Sequence, residues 1–353
     1  MWMDRRSFTL GAGAGLAATA AIGRAAAQGK LEDSVVIRTT GGAFEKALQK
    51  HFFDPFTKQT GVRVRPVAAS YGEMIAKTVA MAQAGRVEWD IISPQKYELA
   101  KLSDYLVDLA DCGALPRVAA EGAPGACARY GVQYLSGAVV LTWASAAFPG
   151  RKPASWADFW DVKTFPGPRA MPNYGNPWNN ALLMALLADG VAPDKLFPLD
   201  LDRAFRKLDE IKPHVSVWWK TGSQSTQILQ SGEAVMTMLW SGTAYAAKRA
   251  GLPIEWTFNQ SIADQGSWAI LKNSPSPNAA RAFIDFYMGH PEAHLGFARE
   301  MGYATTNRAA YGMMTPQERA ELVPETPPVS IDADWVEKNR EAALARWSKW
   351  LSA

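Results

Sequence analysis

Short apolar runs followed by segments with helical spacing recur along this chain, and that alternation leaves few folds open. Val35-Val36-Ile37 reads as a buried strand, and the next stretch, TTGGAFEKALQKHFFDPF, sets Phe44, Ala47, Leu48 and Phe52 at helical spacing. Residues 62–67 alternate as a second strand, 74–84 suit a helix, and WDIIS is a third strand. This rhythm predicts an α/β fold with a mostly parallel sheet and helices on both faces. The run AVVLTW (138–143) closes the first block. A second block follows. It opens on PASWADFW, with Ser155 as helix N-cap and Asp158 three residues on. After it come a strand near 169–171, helices at about 178–188 and 202–211, a strand at 215–218, a helix at 225–230 and a strand at 234–239. GSWAIL reads as one more strand, and helices then dominate. The last, about 334–351, aligns Val336, Ala343, Leu344, Trp347 and Leu351 on one stripe.

The first residues stand apart from that rhythm. MDRRSFTLGAGAGLAATAAIGRAAAQG has a basic head with Arg5 and Arg6, an apolar middle of roughly sixteen residues, and an Ala25-Ala26-Ala27 end of the A-x-A type. The middle is too short and too rich in Gly and Ala to span a bilayer, which takes about 20 strongly apolar residues. Paired arginines ahead of a mild apolar run are the twin-arginine type of export signal. Cleavage after Ala27 and a periplasmic product are therefore expected. Gly11, Gly13 and Gly15 follow no strand and open no βαβ unit, so they lack the context of a dinucleotide fingerprint. Cleavage removes Asp4, Arg5, Arg6 and Arg24 and takes the net charge from +3 to about +1. Such a chain has no basic field to hold nucleic acid or an anionic membrane. We expect a monomer without a cofactor.

The roughly 326 residues that remain exceed what one core usually organises, so two lobes are expected. Cys112 and Cys127 are the only cysteines. In an oxidising compartment such a pair usually joins, closing the Gly/Pro/Ala-rich loop CGALPRVAAEGAPGAC; two buried free thiols are the alternative. No C-x-x-C, Walker A loop, G-x-S-x-G elbow or H-E-x-x-H occurs. HPEAH, His290 to His294, could place two imidazoles on one helix face. Pro291 favours the first helical turn, however, which makes His290 a cap and argues against a metal site. His51 and His214 are isolated, which leaves little acid–base machinery.

Polar and aromatic residues instead gather at strand ends, where open α/β sheets bind ligands. Thr39-Thr40-Gly41-Gly42 follows the first strand; Gly41 and Gly42 let backbone N–H groups approach a ligand, or form an ordinary strand-to-helix turn. Gln95 and Tyr97 follow the third strand. NYGNPWNN sets Tyr174 and Trp178 at a strand-to-helix junction, and Trp240-Ser241-Gly242 ends another strand. Asp264 lies just ahead of the return strand.

These segments carry a resemblance. SGEAVMTMLWSGTAYAAKRAGLPIEW resembles the matching segment of the periplasmic spermidine/putrescine-binding proteins of ABC importers, and ASWADFWDVKTFPG resembles that family's entry into its second lobe. WDIISPQKY, MGYATTNRAAY and the helical C-terminus are similar too, in the same order. The resemblance implies a two-lobed periplasmic-binding-protein fold with hinge crossings. The divisions expected are a signal at 1–27, first lobe 30–142, second lobe 143–266, return to the first lobe 267–310, and a helical C-terminal segment 311–353 packed on the lobes. It implies a ligand cleft between the lobes, no catalysis, and partners in inner-membrane ABC permease subunits with their cytoplasmic ATPase.

By position, Tyr97 and Trp240 match aromatic cleft residues, Thr40 replaces an aromatic wall residue, and Tyr71, Gln95 and Tyr303 fall in cleft-facing segments. Where the family places acids that hold ammonium groups, this sequence has Pro177, Asn180 and Gly266. Asp264 is the remaining acid nearby. A doubly charged polyamine would meet too few anions, and a buried unpaired ammonium costs several kcal/mol. A small polar amine-bearing solute is therefore expected, a polyamine or an ω-amino acid such as 4-aminobutyrate; the latter would fit the altered pocket, its amine near Asp264 and aromatic faces and its carboxylate near Thr40-Gly41-Gly42. The alternatives are a twin-arginine-exported enzyme, or a receptor for another solute class such as a phosphonate or a metal.

Overall fold

The computed structural model describes residues 30–173 and 176–353. The N-terminal segment read as an export signal and Tyr174 lie outside the described residues. The chain starts with β1 (Ser34–Thr39) and one continuous helical stretch: α1 (Gly42–Leu48), a π-helical turn (Gln49–Phe53) and α2 (Asp54–Thr60). β2 (Arg63–Ala68) returns to pair parallel with β1. α3 (Tyr71–Gln83) opens on a capping box between Ser70 and Glu73, which satisfies the first-turn N–H groups. β3 (Ile91–Ile92), α4 (Pro116–Glu121), β4 (Cys127–Ala128) and β5 (Gly131–Gln133) complete this stretch. The Cys112–Cys127 disulfide is formed and ties the loop around α4 to β4.

The second stretch runs through β6 (Gly137–Ala144), α5 (Trp156–Trp160), β7 (Arg169–Pro172), α6 (Ala181–Ala188), α7 (Leu201–Ile211) and β8 (Val215–Trp219). α8 (Gly222–Ser231), β9 (Met236–Trp240), α9 (Ser241–Arg249) and β10 (Ile254–Asp264) follow. The chain then returns through β11 (Ser267–Ile270), α10 (Pro277–Met288) and α11 (Pro291–Met301), and finishes with α12 (Arg308–Met313), α13 (Pro316–Leu322) and α14 (Ala333–Ser352).

The strands form a six-stranded sheet, ordered β2-β1-β3-β11-β5-β4, and a five-stranded sheet, ordered β10-β6-β9-β7-β8. Each carries its own apolar core. Phe52, Phe56, Trp268 and Phe283 fill one, while Trp156, Trp178, Trp219 and the all-round apolar α6 fill the other. The fold is thus the two-lobed α/β architecture expected, with two corrections. Both sheets are mixed: β1–β2, β1–β3, β7–β8 and β7–β9 are parallel, whereas β11 and β5 pair antiparallel, as do β6 with β9 and β10. The antiparallel pairs arise where the chain passes between lobes. Residues 138–143, read as the close of the first block, lie in β6 inside the second sheet, because β9 and β10 supply its neighbours.

β10 itself breaks the alternation that marks a strand. Its register with β6 shifts between Thr257 and Ile262, and Gln260 sits at φ 56°. α14 packs on the second core through Trp335, Val336, Ala343 and Trp347, while Leu344 is exposed rather than part of that stripe.

Candidate ligand-binding cleft

Two crossings join the lobes. Tyr134-Leu135-Ser136 leads from β5 to β6, and Gln265-Gly266 leads back from β10 to β11. They run side by side: the Tyr134 N–H donates to the Gly266 carbonyl at 3.0 Å, and Gly137 pairs with Asp264. A third passage is pinned when the Ala304 N–H donates to the Ser136 carbonyl at 2.9 Å.

Side chains around these crossings form one cluster. Gln95 Nε2 donates to Asp264 Oδ1 at 2.8 Å, its Oε1 accepts the Gln265 N–H at 3.1 Å, and its own N–H donates to the Tyr71 hydroxyl at 3.2 Å. Asp264 is half-buried beside the crossing. Desolvation pushes its pKa up to about 6, opposed only in part by the Gln95 hydrogen bond. Among the described residues no cation pairs with it. The Tyr134 and Tyr303 hydroxyls lie near this carboxylate, and burial holds both well above the ordinary tyrosine range. Tyr134 stacks on Trp268, centroids 4.1 Å apart. Tyr303 presses on Gly242, where an added Cβ would stand 2.5 Å from the ring.

On the second lobe, Trp240 ends β9 with its ring 5.8 Å from Trp219. Ser241 is buried and its Oγ accepts the Ala138 N–H, tying α9 to the crossing strand. Tyr97 is half-buried with its hydroxyl facing Trp178, Asn179 and Arg340, and burial lifts its pKa to about 12. Trp178 is fully buried, with the Arg340 guanidinium 5.1 Å from its ring centroid. A cavity of about 280 Å³ adjoins Gln95, Tyr97 and Ile331. Asp264, Tyr303 and Trp240 do not line it, so it belongs to the hinge and the approach to α14.

Tyr71, Gln95, Tyr97, Asp264 and Tyr303 therefore come together, with Ser241 behind them and Trp240 on the facing lobe. Thr40 is exposed, and Gly41 and Gly42 take positive φ at the turn into α1. Thr39 Oγ1 already donates to Glu45 in the first turn of that helix, so the turn is partly served from within. His290 is the N-cap of α11, and the buried His294 faces the Tyr287 carbonyl at 3.0 Å with its pKa pushed down to about 3 by burial. No group of metal-ligating side chains occurs among the described residues.

Two of the missing acids have a physical reason. Asn180 caps α6, accepting from the Ala181 N–H and donating to the Asn176 carbonyl at 2.7 Å. At Gly266 an added Cβ would lie 2.7 Å from the Tyr134 ring, so no acid fits while Tyr134 stacks on Trp268. Two residues escaped the site reading, Tyr134 and Arg38, and Ser93 was read only as the start of the segment leading to Gln95 and Tyr97. The Tyr134 hydroxyl lies beside Ser93, and Arg38 Nη1 donates to Ser93 Oγ at 2.8 Å. The available signal was the lone charge at Arg38 inside the apolar run VVIRTT.

The fold and hinge cluster are those of a solute receptor, and the relatives agree. The family model for bacterial extracellular solute-binding proteins matches residues 51–323. The chain belongs to that family and is a solute-binding protein, not an enzyme. It is 31% identical over 340 residues to a gamma-aminobutyric acid-binding protein of Pseudomonas aeruginosa, covering 93% of both chains. It is 23% identical over 274 residues to the spermidine/putrescine-binding periplasmic protein of Escherichia coli, covering 75% of this chain and 76% of that one. The solved Atu4243-GABA receptor superposes with a TM-score of 0.78 at 30% identity, covering 90% of this chain and 97% of its own.

Proposed function

We propose that this chain is the periplasmic receptor of an ABC importer for an ω-amino acid of the 4-aminobutyrate type. The observation that carries this reading is Asp264: a half-buried, partly desolvated carboxylate at the hinge, held by the Gln95 amide and by no cation of the described residues. Such a group costs free energy until a cation joins it. A protonated amine supplies that cation, and Trp240, Tyr97 and Tyr303 supply aromatic surface beside it. The names of the similar gamma-aminobutyric acid-binding proteins support the same solute class. Closing of the lobes on the solute would present one surface to the permease, and the solute stabilises the closed state by its differential affinity. Tyr71, Gln95, Tyr97, Tyr174, Trp178, Trp240, Ser241, Asp264 and Tyr303, with the Thr40-Gly41-Gly42 turn at the rim, are the residues assigned to the cleft. The lobes divide at the crossings 134–136 and 265–266, and the receptor works as a monomer. Arg5 and Arg6 direct twin-arginine export, with cleavage after Ala27.

A thermal-shift screen of ω-amino acids, polyamines and phosphonates on the mature protein tests the assignment. A solute at about 100 times its Kd stabilises by roughly 2.7 kcal/mol. The expected responders are ω-amino acids; a response to polyamines or phosphonates alone would replace this reading.

A further inference from the structure

Arg38 is a charged residue at the carboxyl end of β1 with 1% of its surface exposed. A guanidinium offers five N–H donors. Here Nη1 donates to Ser93 Oγ and Nη2 to the Ala69 carbonyl at 2.5 Å, while the buried Nε has no hydrogen-bond partner. No carboxylate of the described residues forms an ion pair with it. Glu73, the acid whose charge acts on Arg38, accepts the Ser70 N–H at 2.6 Å. The three partners mark the place: Arg38, Ala69 and Ser93 stand at or just beyond the carboxyl ends of β1, β2 and β3, the parallel strands of the first lobe. That end of an open α/β sheet is where ligands bind. The Tyr134 hydroxyl lies beside Ser93 and near both the Arg38 guanidinium and the Asp264 carboxylate, so one tyrosine stands between two opposite charges that have no ion-pair partner among the described residues.

We propose that Arg38 is the anion-binding residue of the cleft and takes the carboxylate of the solute. The free Nε–H and a second N–H on a terminal nitrogen suit a carboxylate, which a guanidinium grips through two parallel bonds. Arg38 and Asp264 then form a pair of opposite anchors that match a zwitterion and penalise a diamine, which would bring a cation to Arg38. This assignment rests on the ω-amino acid reading for its amine half. It moves the carboxylate from the Thr40-Gly41-Gly42 turn to a charged side chain.

The test is calorimetry of wild type, Arg38→Gln and Arg38→Lys with 4-aminobutyrate, butyrate and putrescine, alongside melting without solute. Truncating one partner of a buried charge pair costs about 2–5 kcal/mol, so Arg38→Gln should weaken 4-aminobutyrate binding at least about tenfold. Arg38→Lys should fall between, because an ammonium cannot serve Ser93, Ala69 and a carboxylate with one planar fork. The selectivity for 4-aminobutyrate over putrescine should narrow in both variants. A purely structural Arg38 would lower the melting temperature without changing that ratio. On the wild type, the Nε–H resonance of Arg38 should move when 4-aminobutyrate binds, a readout independent of how the variants fold. Unchanged affinity in Arg38→Gln, or an unmoved resonance at saturation, would overturn the assignment. If wild type binds butyrate but no amino acid, the amine reading fails while Arg38 is judged by the same comparison with butyrate. If it binds no carboxylate at all, both fail.

Discussion

Two desolvated carboxylates, Glu98 and Asp264, differ in whether the protein supplies a cation. Glu98 is 1% exposed and faces Arg340 of α14, Nη2 to Oε1 at 3.2 Å. Asp264 has the Gln95 amide as its side-chain hydrogen-bond partner and no cation among the described residues. Desolvation raises both pKa values, and at Glu98 the Arg340 charge opposes it. One acid therefore holds its own protein cation and ties the C-terminal helix to the first lobe. The other leaves its charge uncompensated in the space between lobes. Burial alone does not make a carboxylate a binding group; what separates them is whether the protein completes the pair.

That contrast can be broken most severely at Glu98. Arg340→Met leaves a buried acid without its cation and also removes the guanidinium from the Trp178 ring. Losing one partner of a buried pair costs about 3–5 kcal/mol, so chemical denaturation should show the largest stability loss here. Solute affinity should fall by less than stability does, since Arg340 touches the cleft only through Tyr97 and Trp178 and does not face Asp264.

At Asp264 the two effects should trade places. Asp264→Asn should weaken binding of an amine-bearing solute by at least about tenfold, the lower end of what a buried charge contact contributes. The same variant should melt no lower than wild type at pH 7.5. The sign follows from the raised pKa: the neutral acid is favoured in the fold, so the contribution of Asp264 to stability is present below its unfolded-state pKa and is lost as pH rises through about 6. Asparagine stays neutral throughout and loses nothing over that window. A large drop in melting temperature with unchanged affinity would place Asp264 beside Glu98 as a structural acid.

Trp240→Ala gives a smaller, mixed effect. An aromatic face against a desolvated cation contributes about 2 kcal/mol or more, so affinity should fall by over a decade in calorimetry. Its ring also packs on Trp219 and at 3.3 Å from the position of a Cβ on Gly222, so stability should drop as well. A stability loss with intact affinity would assign Trp240 to the core alone.

How much of this was legible in the sequence depended on range. β1, α7 and β11 could be read because their patterns are local. Asp264, Gln95 and Trp240 could be placed at strand ends because Gly, Pro and Ser punctuate those ends. β10 was hidden because its bulge at Gln260 interrupts the period of two. The lobe of β6 was hidden because pairing with β9 and β10, about a hundred residues on, decides it. Leu344 follows the helical spacing, but α14 turns Trp335, Val336 and Trp347 inward instead. Arg38 drew no reading because nothing local shows that Ser93 and Ala69 close over it. The role of Glu98 depended on Arg340, at the far end of the chain.

The comparison of the two acids rests on Asp264 being the partner of the solute's amine, and the pH dependence of binding tests that most directly. Calorimetric titration with 4-aminobutyrate at pH 5 and pH 7.5 should show wild-type affinity falling about tenfold at the lower pH. Protonation of a group with pKa about 6 removes the anion there, and one pKa unit corresponds to about 1.36 kcal/mol. Asp264→Asn should bind weakly and equally at both. A wild-type affinity that stays constant between the two pH values, or a variant that keeps the wild-type profile, would contradict the assignment of Asp264 to the solute.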